Sequence, residues 1–210
     1  MGLLVKKYVE DNCLMGLWEI KEDYEELFSK VRLDEEETKK LNGFLNDQRK
    51  LEWLSVRALI KQLLDHEIRI VYNEDNKPFL QDRSYNISIS HSNKLTGILV
   101  SKKKKLGIDM EYMTSKIYNI EHKYINEYEY ITNDPGKRLI QLYVHWCAKE
   151  ALYKICDKQE INFKRNLIIE PFEVYNEGRI YGTVDNIFGV EKYALHYEIQ
   201  NNYTIVWCVK

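Results

Sequence analysis

LGIDMEYM, Leu106 to Met113, sets two acidic side chains one residue apart at the end of an apolar run. Read as a strand, it alternates faces: Leu106, Ile108 and Met110 point one way, and Gly107, Asp109 and Glu111 the other. One face is core. The opposite face carries two carboxylates beside a residue without a Cβ, which leaves room for a ligand or another stretch of backbone. The plainer reading is the charged, solvent-facing side of an edge hairpin. With 33 acidic residues among 210, about five acidic-x-acidic triplets arise by chance, so the pair needs support from elsewhere in the chain.

Working outward, the lysines 102 to 105 precede this strand, and before them NISISHS and LTGILVS read as two strands joined by a turn at Asn93 and Lys94. In the first of these, Ile87, Ile89 and His91 alternate with Ser88, Ser90 and Ser92. Further upstream, Leu51, Leu54, Ala58, Leu59 and Leu63 recur at helical steps through DQRKLEWLSVRALIKQLL, with Arg49 and Arg57 off that stripe. DEEETKKL starts a helix on Asp34, with Glu37 at the capping-box spacing, and LMGLWEI reads as an earlier strand. After the acidic strand come a helical stretch from about Ile117, a long helix LIQLYVHWCAKEALYKI, and the strand-like runs LIIEPFEVY, RIYGTV, YALHYEI and YTIVWCV. Strands and helices therefore recur in the same order twice. This predicts an α+β fold of two pseudo-symmetric halves, 1–105 and 106–210, each an antiparallel sheet with packed helices and with the active site between them.

Composition bounds the function classes. With 44% apolar and 30% charged residues and a net charge of −2, the chain reads as an ordinary soluble protein. It lacks the excess of Lys and Arg that a dedicated duplex-binding domain carries. No apolar run is long enough for a signal-peptide core or a membrane span, so a cytoplasmic protein with no membrane partner is expected. Cys13, Cys147, Cys156 and Cys208 are scattered without a CxxC, as reduced packing thiols would be. The lysine run 102–105 reads as a solvated turn or as an electrostatic attractor for an acidic partner.

The helix that contains WCAKEALYK supplies the support that the acidic pair needs. At about 100° per residue, Trp146, Lys149, Glu150, Tyr153 and Lys154 share one stripe, while Cys147, Ala148, Ala151 and Ile155 form a small apolar face. Glu150 then lies between an aromatic ring and a cation at four-residue spacing, or else forms an ordinary surface pair with Lys154. Two carboxylates from a strand and one from a helix make an oxygen-only set, which suits Mg²⁺ completed by substrate phosphates. His91, Lys149 and Lys154 are candidates to hold those phosphates. His91 can equally be a histidine satisfied locally at a strand end.

SISHS, GIDME and WCAKEALYK, in that order and with NKP ahead of them, resemble the 4′-phosphopantetheinyl transferases, in particular the long, surfactin-type monomers. The resemblance runs from about Arg49 to Lys154. It implies that Asp109, Glu111 and Glu150 hold Mg²⁺ with the pyrophosphate of coenzyme A. It also implies that Ser90 and His91 contact the phosphates, that Lys77 and Pro78 line the nucleotide site, and that Arg49 or Arg57 lies near the 3′-phosphate. YINEYEY is similar to the family's aromatic-rich segment ending in a glutamate, here Glu129. Ile125 stands where an aromatic residue is expected, and NDPGKR follows in place of a more regular helix, in the segment that would dock the carrier protein.

The reaction so implied moves the phosphopantetheine arm of coenzyme A to a serine of an acyl or peptidyl carrier protein and releases adenosine 3′,5′-bisphosphate. Glu150 is the candidate proton acceptor, Lys154 the candidate stabiliser of phosphate charge, and His91 a third catalytic candidate alongside its coenzyme A contact. Lys149 joins Lys154 among the coenzyme A contacts. A metal-dependent nuclease could use the same acids and a lysine but would need a basic track. A non-catalytic binding module for coenzyme A or a carrier protein would have no use for the three carboxylates.

Overall fold

In the computed structural model, which describes residues 2–156 and 161–210, the chain folds as two units, Met1–Lys103 and Lys104–Lys210. The first contains β1 (Leu3–Glu10), β2 (Cys13–Glu19), α1 (Tyr24–Phe28), α2 (Glu35–Asn42), α3 (Asp47–Leu64), β3 (Ile70–Tyr72), β4 (Pro78–Leu80), β5 (Asn86–Ser92) and β6 (Leu95–Ser101). Its four-stranded antiparallel sheet has the order β1-β2-β6-β5, and β3 and β4 form a separate hairpin.

The strand expected around Leu14 to Ile20 is β2. Its partner β1 carries no sequence signal of its own, because Lys6 and Lys7 interrupt the apolar alternation. As the edge strand it can afford them, and charged side chains there discourage further pairing. Asp34 caps α2 as expected, its carboxylate accepting from the Glu37 N–H at 2.8 Å. The return half of the capping box is replaced, since the Glu37 carboxylate instead accepts from Arg57 Nε at 2.9 Å. On α3 the stripe Leu54, Ala58, Leu59 and Leu63 is buried, and the helix packs on β2 and β6. Gly16 on β2 permits this approach, because a Cβ there would lie 2.8 Å from side-chain carbons of Leu59 and Leu63. Asn93, with φ 53°, turns β5 into β6.

The second unit contains β7 (Leu106–Tyr112), a 3₁₀ turn (Ser115–Asn119), α4 (Glu121–Tyr124), α5 (Pro135–Ile155), β8 (Leu167–Ile169), β9 (Glu177–Asn186), β10 (Gly189–Gln200) and β11 (Tyr203–Val209). Its five strands have the order β7-β11-β10-β9-β8, all antiparallel. The long helix begins four residues before the expected Leu139, with Asp134 as cap and Pro135 in the first turn, where a missing N–H is no loss. NDPGKR is thus the start of the helix. Of LIIEPFEVY only Leu167–Ile169 pairs as a strand, and Pro171 lies just beyond its end. The architecture is α+β, each unit laying its longest helix on an antiparallel sheet. Among the described residues, no helix is long and apolar enough to cross a membrane.

Candidate active site

Alternation along β7 turns Gly107, Asp109 and Glu111 toward α5. A Cβ at Gly107 would lie 2.1 Å from the Ala151 carbonyl oxygen, so helix and strand meet here backbone to backbone. That approach brings the last turns of α5 over the carboxylates. Lys154 Nζ donates to Asp109 Oδ1 and to the Ile108 carbonyl, both at 2.8 Å. The Lys154 side chain stays 22% exposed while that of Asp109 is 8% exposed, so the pair opens to solvent on one side. Cys147, two turns back, is fully buried, its thiol 3.9 Å from the Thr204 carbonyl. Burial pushes its thiol pKa well up, and the Asp109 and Glu111 charges push it further. Glu150 lies between Cys147 and Lys154, about 60° round the wheel from Cys147, on the edge of the stripe that faces β7.

Lys149 turns the opposite way. Its side chain and that of Glu129 are 0% exposed, and its ammonium donates to Tyr124 O at 2.6 Å, Glu129 Oε2 at 2.7 Å and Phe163 O at 3.1 Å. Three donors meet three acceptors. Burial lowers the Lys149 pKa, and the Glu129 charge opposes that shift. Glu129 also accepts the N–H groups of Asn126 and Ile169, each at 2.7 Å. The glutamate of the aromatic-rich segment is therefore an internal tie between the loop after α4, α5 and β8. The exposed residues of that segment are Glu127, Tyr128 and Tyr130.

In the first unit, His91 at the end of β5 meets α3. Its Nε2 is 2.5 Å from Arg49 NH1, and its Nδ1 is 3.3 Å from Glu52 Oε2. A guanidinium only donates, so Nε2 is the acceptor and the ring proton sits on Nδ1, facing Glu52. Arg49 also reaches Glu52 at 3.3 Å, with its side chain 45% exposed. Ser90 is buried on β5. Lys77 and Pro78 sit at the β3–β4 turn, held by the Lys77 N–H donating to Asn73 Oδ1 at 2.8 Å. Arg57 is buried, bound to Glu37 and stacked 3.1 Å over the Trp53 ring.

The structure thus sets Asp109, Glu111, Glu150 and Lys154 along the β7–α5 contact and Arg49 and His91 at the α3–β5 contact, while Ser90, next to His91 on the strand, points to the other face of the sheet. The fold turns Lys149 and Arg57 inward. Sequence reasoning missed Glu52, Cys147 and the partner of Glu129, none of which has a distinctive spacing. Asp109, Glu111 and Glu150 offer only carboxylate oxygens, the donor type that Mg²⁺ prefers. Among the described residues, no three His, Cys, Asp or Glu side chains converge to the spacing of a metal cage; Lys154 meets the Asp109 carboxylate instead.

Residues 105–210 match the family model of the 4′-phosphopantetheinyl transferase superfamily. The chain belongs to that superfamily. The match covers β7, α5 and every strand of the second sheet, the elements that carry the acidic pair, Glu150 and Lys154. The chain is also 24% identical over 138 residues to the 4′-phosphopantetheinyl transferase HetI of Nostoc sp. (strain PCC 7120 / SAG 25.82 / UTEX 2576), an alignment covering 58% of each protein. It therefore spans somewhat over half the length of the curated relative that it matches.

Proposed function

We propose that this protein transfers the 4′-phosphopantetheine arm of coenzyme A to a serine of an acyl or peptidyl carrier protein, as a holo-[acyl-carrier-protein] synthase type of enzyme. It would act as a cytoplasmic monomer of the surfactin type. One observation carries the reading: inside the stretch that matches the transferase superfamily, Lys154 stands on Asp109 at 2.8 Å, a cation and a carboxylate set that suit a magnesium-bound pyrophosphate. Coenzyme A is an anion, and a bare acidic pair would repel it.

In this reading, Asp109, Glu111 and Glu150 would hold Mg²⁺, which supplies charge neutralisation for the pyrophosphate. Lys154 turns from Asp109 to the phosphate and stabilises charge on the oxygen that leaves with adenosine 3′,5′-bisphosphate. Glu150 accepts the proton from the carrier serine as its oxygen forms the new bond to phosphorus, a contribution of roughly 10²–10⁴-fold. Arg49, Lys77, Pro78, Ser90 and His91 contribute coenzyme A contacts, His91 being oriented by Glu52. Lys149 and Arg57 serve from behind by fixing α5 and α3.

The test is the intact mass of an apo carrier protein after incubation with this protein, coenzyme A and Mg²⁺, alongside a chelator control. A chelator-sensitive gain of one phosphopantetheine arm is expected. Coenzyme A binding without any gain across several carrier types would favour a binding module, and salt-sensitive retention of DNA would favour a nuclease.

A further inference from the structure

Thr204 is fully buried, and its hydroxyl has no hydrogen-bond partner. A buried hydroxyl without a partner is uncommon and demands a reason. Its position narrows the reasons. Thr204 lies directly opposite Glu111 in the β7–β11 ladder, and cross-strand partners point to the same face with their Cβ atoms about 4.5–5.5 Å apart. That face is the one that α5 covers: Gly107 meets Ala151, its partner Cys208 lies 3.1 Å from the position of a Gly107 Cβ, and the Cys147 thiol lies 3.9 Å from the Thr204 carbonyl. Thr204 therefore lies on the face of β11 that α5 covers, directly across the ladder from Glu111.

We infer that Thr204 is a positioning residue for the Asp109–Glu111 site, its hydroxyl donating to the Glu111 carboxylate when that side chain turns inward to bind Mg²⁺. The inference rests on the metal reading of the function above. A threonine suits the role: its β-branched side chain is stiff at χ1 and favoured in strands, so the donor is fixed before the carboxylate arrives. A hydroxyl also leaves the donor set all-oxygen, unchanged for Mg²⁺.

The experiment compares wild type with Thr204→Val, which keeps the shape and removes the hydroxyl, and Thr204→Ser, which keeps the hydroxyl. Mg²⁺ binding to the protein alone is measured by calorimetry, and thermal unfolding is followed in chelator. Thr204→Val should weaken Mg²⁺ binding about tenfold, in the range known for lost outer-shell partners, while unfolding in chelator at the wild-type temperature or above. Thr204→Ser should bind within about twofold of wild type, since the donor is retained. A Thr204→Val variant with wild-type Mg²⁺ affinity overturns the inference and leaves the function standing. So does equal weakening in both variants accompanied by loss of stability in chelator, which marks Thr204 as a packing residue. A wild-type protein that takes up no Mg²⁺ overturns the inference together with the metal reading.

Discussion

Lys149 and Lys154 lie on the same helix and each meets a carboxylate, yet the two pairs have opposite surroundings. Lys149 and Glu129 are sealed, both side chains 0% exposed, and every ammonium hydrogen has an acceptor inside the unit. Lys154 and Asp109 are open on one side, and Lys154 has another carboxylate, Glu150, one turn away. The difference separates two jobs that one charge pattern can do. A sealed pair fixes the backbone because its charges have nowhere else to go. An open pair can exchange partners, as a phosphate-binding lysine must.

The open side should show the largest effects on activity and small ones on stability. Glu150→Gln is expected to lower carrier-protein transfer by about 10²–10⁴-fold with an unchanged unfolding curve; near-normal turnover would remove Glu150 from proton transfer. Lys154→Met should likewise impair transfer while changing stability by under about 1 kcal/mol, as for a part-exposed pair. The sealed side should behave in reverse. Lys149→Met leaves Glu129 buried without its cation and is expected to cost about 3–5 kcal/mol in urea unfolding. Wild-type stability in that variant would break the comparison.

Much of this was legible in the chain. The alternation of β7 with Asp109 and Glu111 on one face, the helical stripe of α3 and the β5–β6 hairpin all follow from period and residue type. The direction of Lys149 did not. A helical wheel places it beside Glu150 and Lys154, and nothing in the wheel reveals that the loop after α4 folds over that edge and brings in Glu129, with the carbonyls of Tyr124 and Phe163. The inward turn of Arg57 was hidden similarly, because its acceptor Glu37 lies on another helix and was read as half of a capping box. Edge strand β1 was hidden by its lysines, and Thr204 by a strand pattern that any hydroxyl residue could join.

His145 sharpens the sealed side. It lies one turn before Lys149, fully buried. The Gln141 carbonyl can only accept, so His145 Nδ1–H donates to it at 2.9 Å. Its Nε2 has no partner. Burial holds its pKa down at about 4, with Lys149 pushing the same way and Glu129 opposing. The folded value lies below the unfolded one near 6.5, so the unfolded chain binds the proton first and stability falls as pH drops from about 6.5 toward 4. The full loss is about 3 kcal/mol. Urea unfolding at stepped pH should show this slope in wild type, and it should disappear in His145→Leu. Lys149→Met, by removing a cation, should raise the His145 value and shrink the loss; an unchanged slope would detach His145 from the pair.

The smallest effects concern the approach of helix to sheet, which both units achieve through a glycine, and here too the two sites differ. At Gly107 an added Cβ would strike the Ala151 carbonyl at 2.1 Å, backbone against backbone, whereas at Gly16 it would meet the ends of the Leu59 and Leu63 side chains at 2.8 Å. Side-chain ends can turn aside, but a carbonyl moves only with its helix. Gly107→Ala should therefore cost about 1–3 kcal/mol, the usual range for overpacking. It should also lower transfer, because the helix that must shift carries Glu150 and Lys154. Gly16→Ala should fall at or below the lower end of that range and leave transfer unchanged, because rotamer changes absorb the methyl group. Equal losses of activity in the two variants would mean that the close contact of α5 with β7 is ordinary packing rather than the element that sets Lys154 on Asp109.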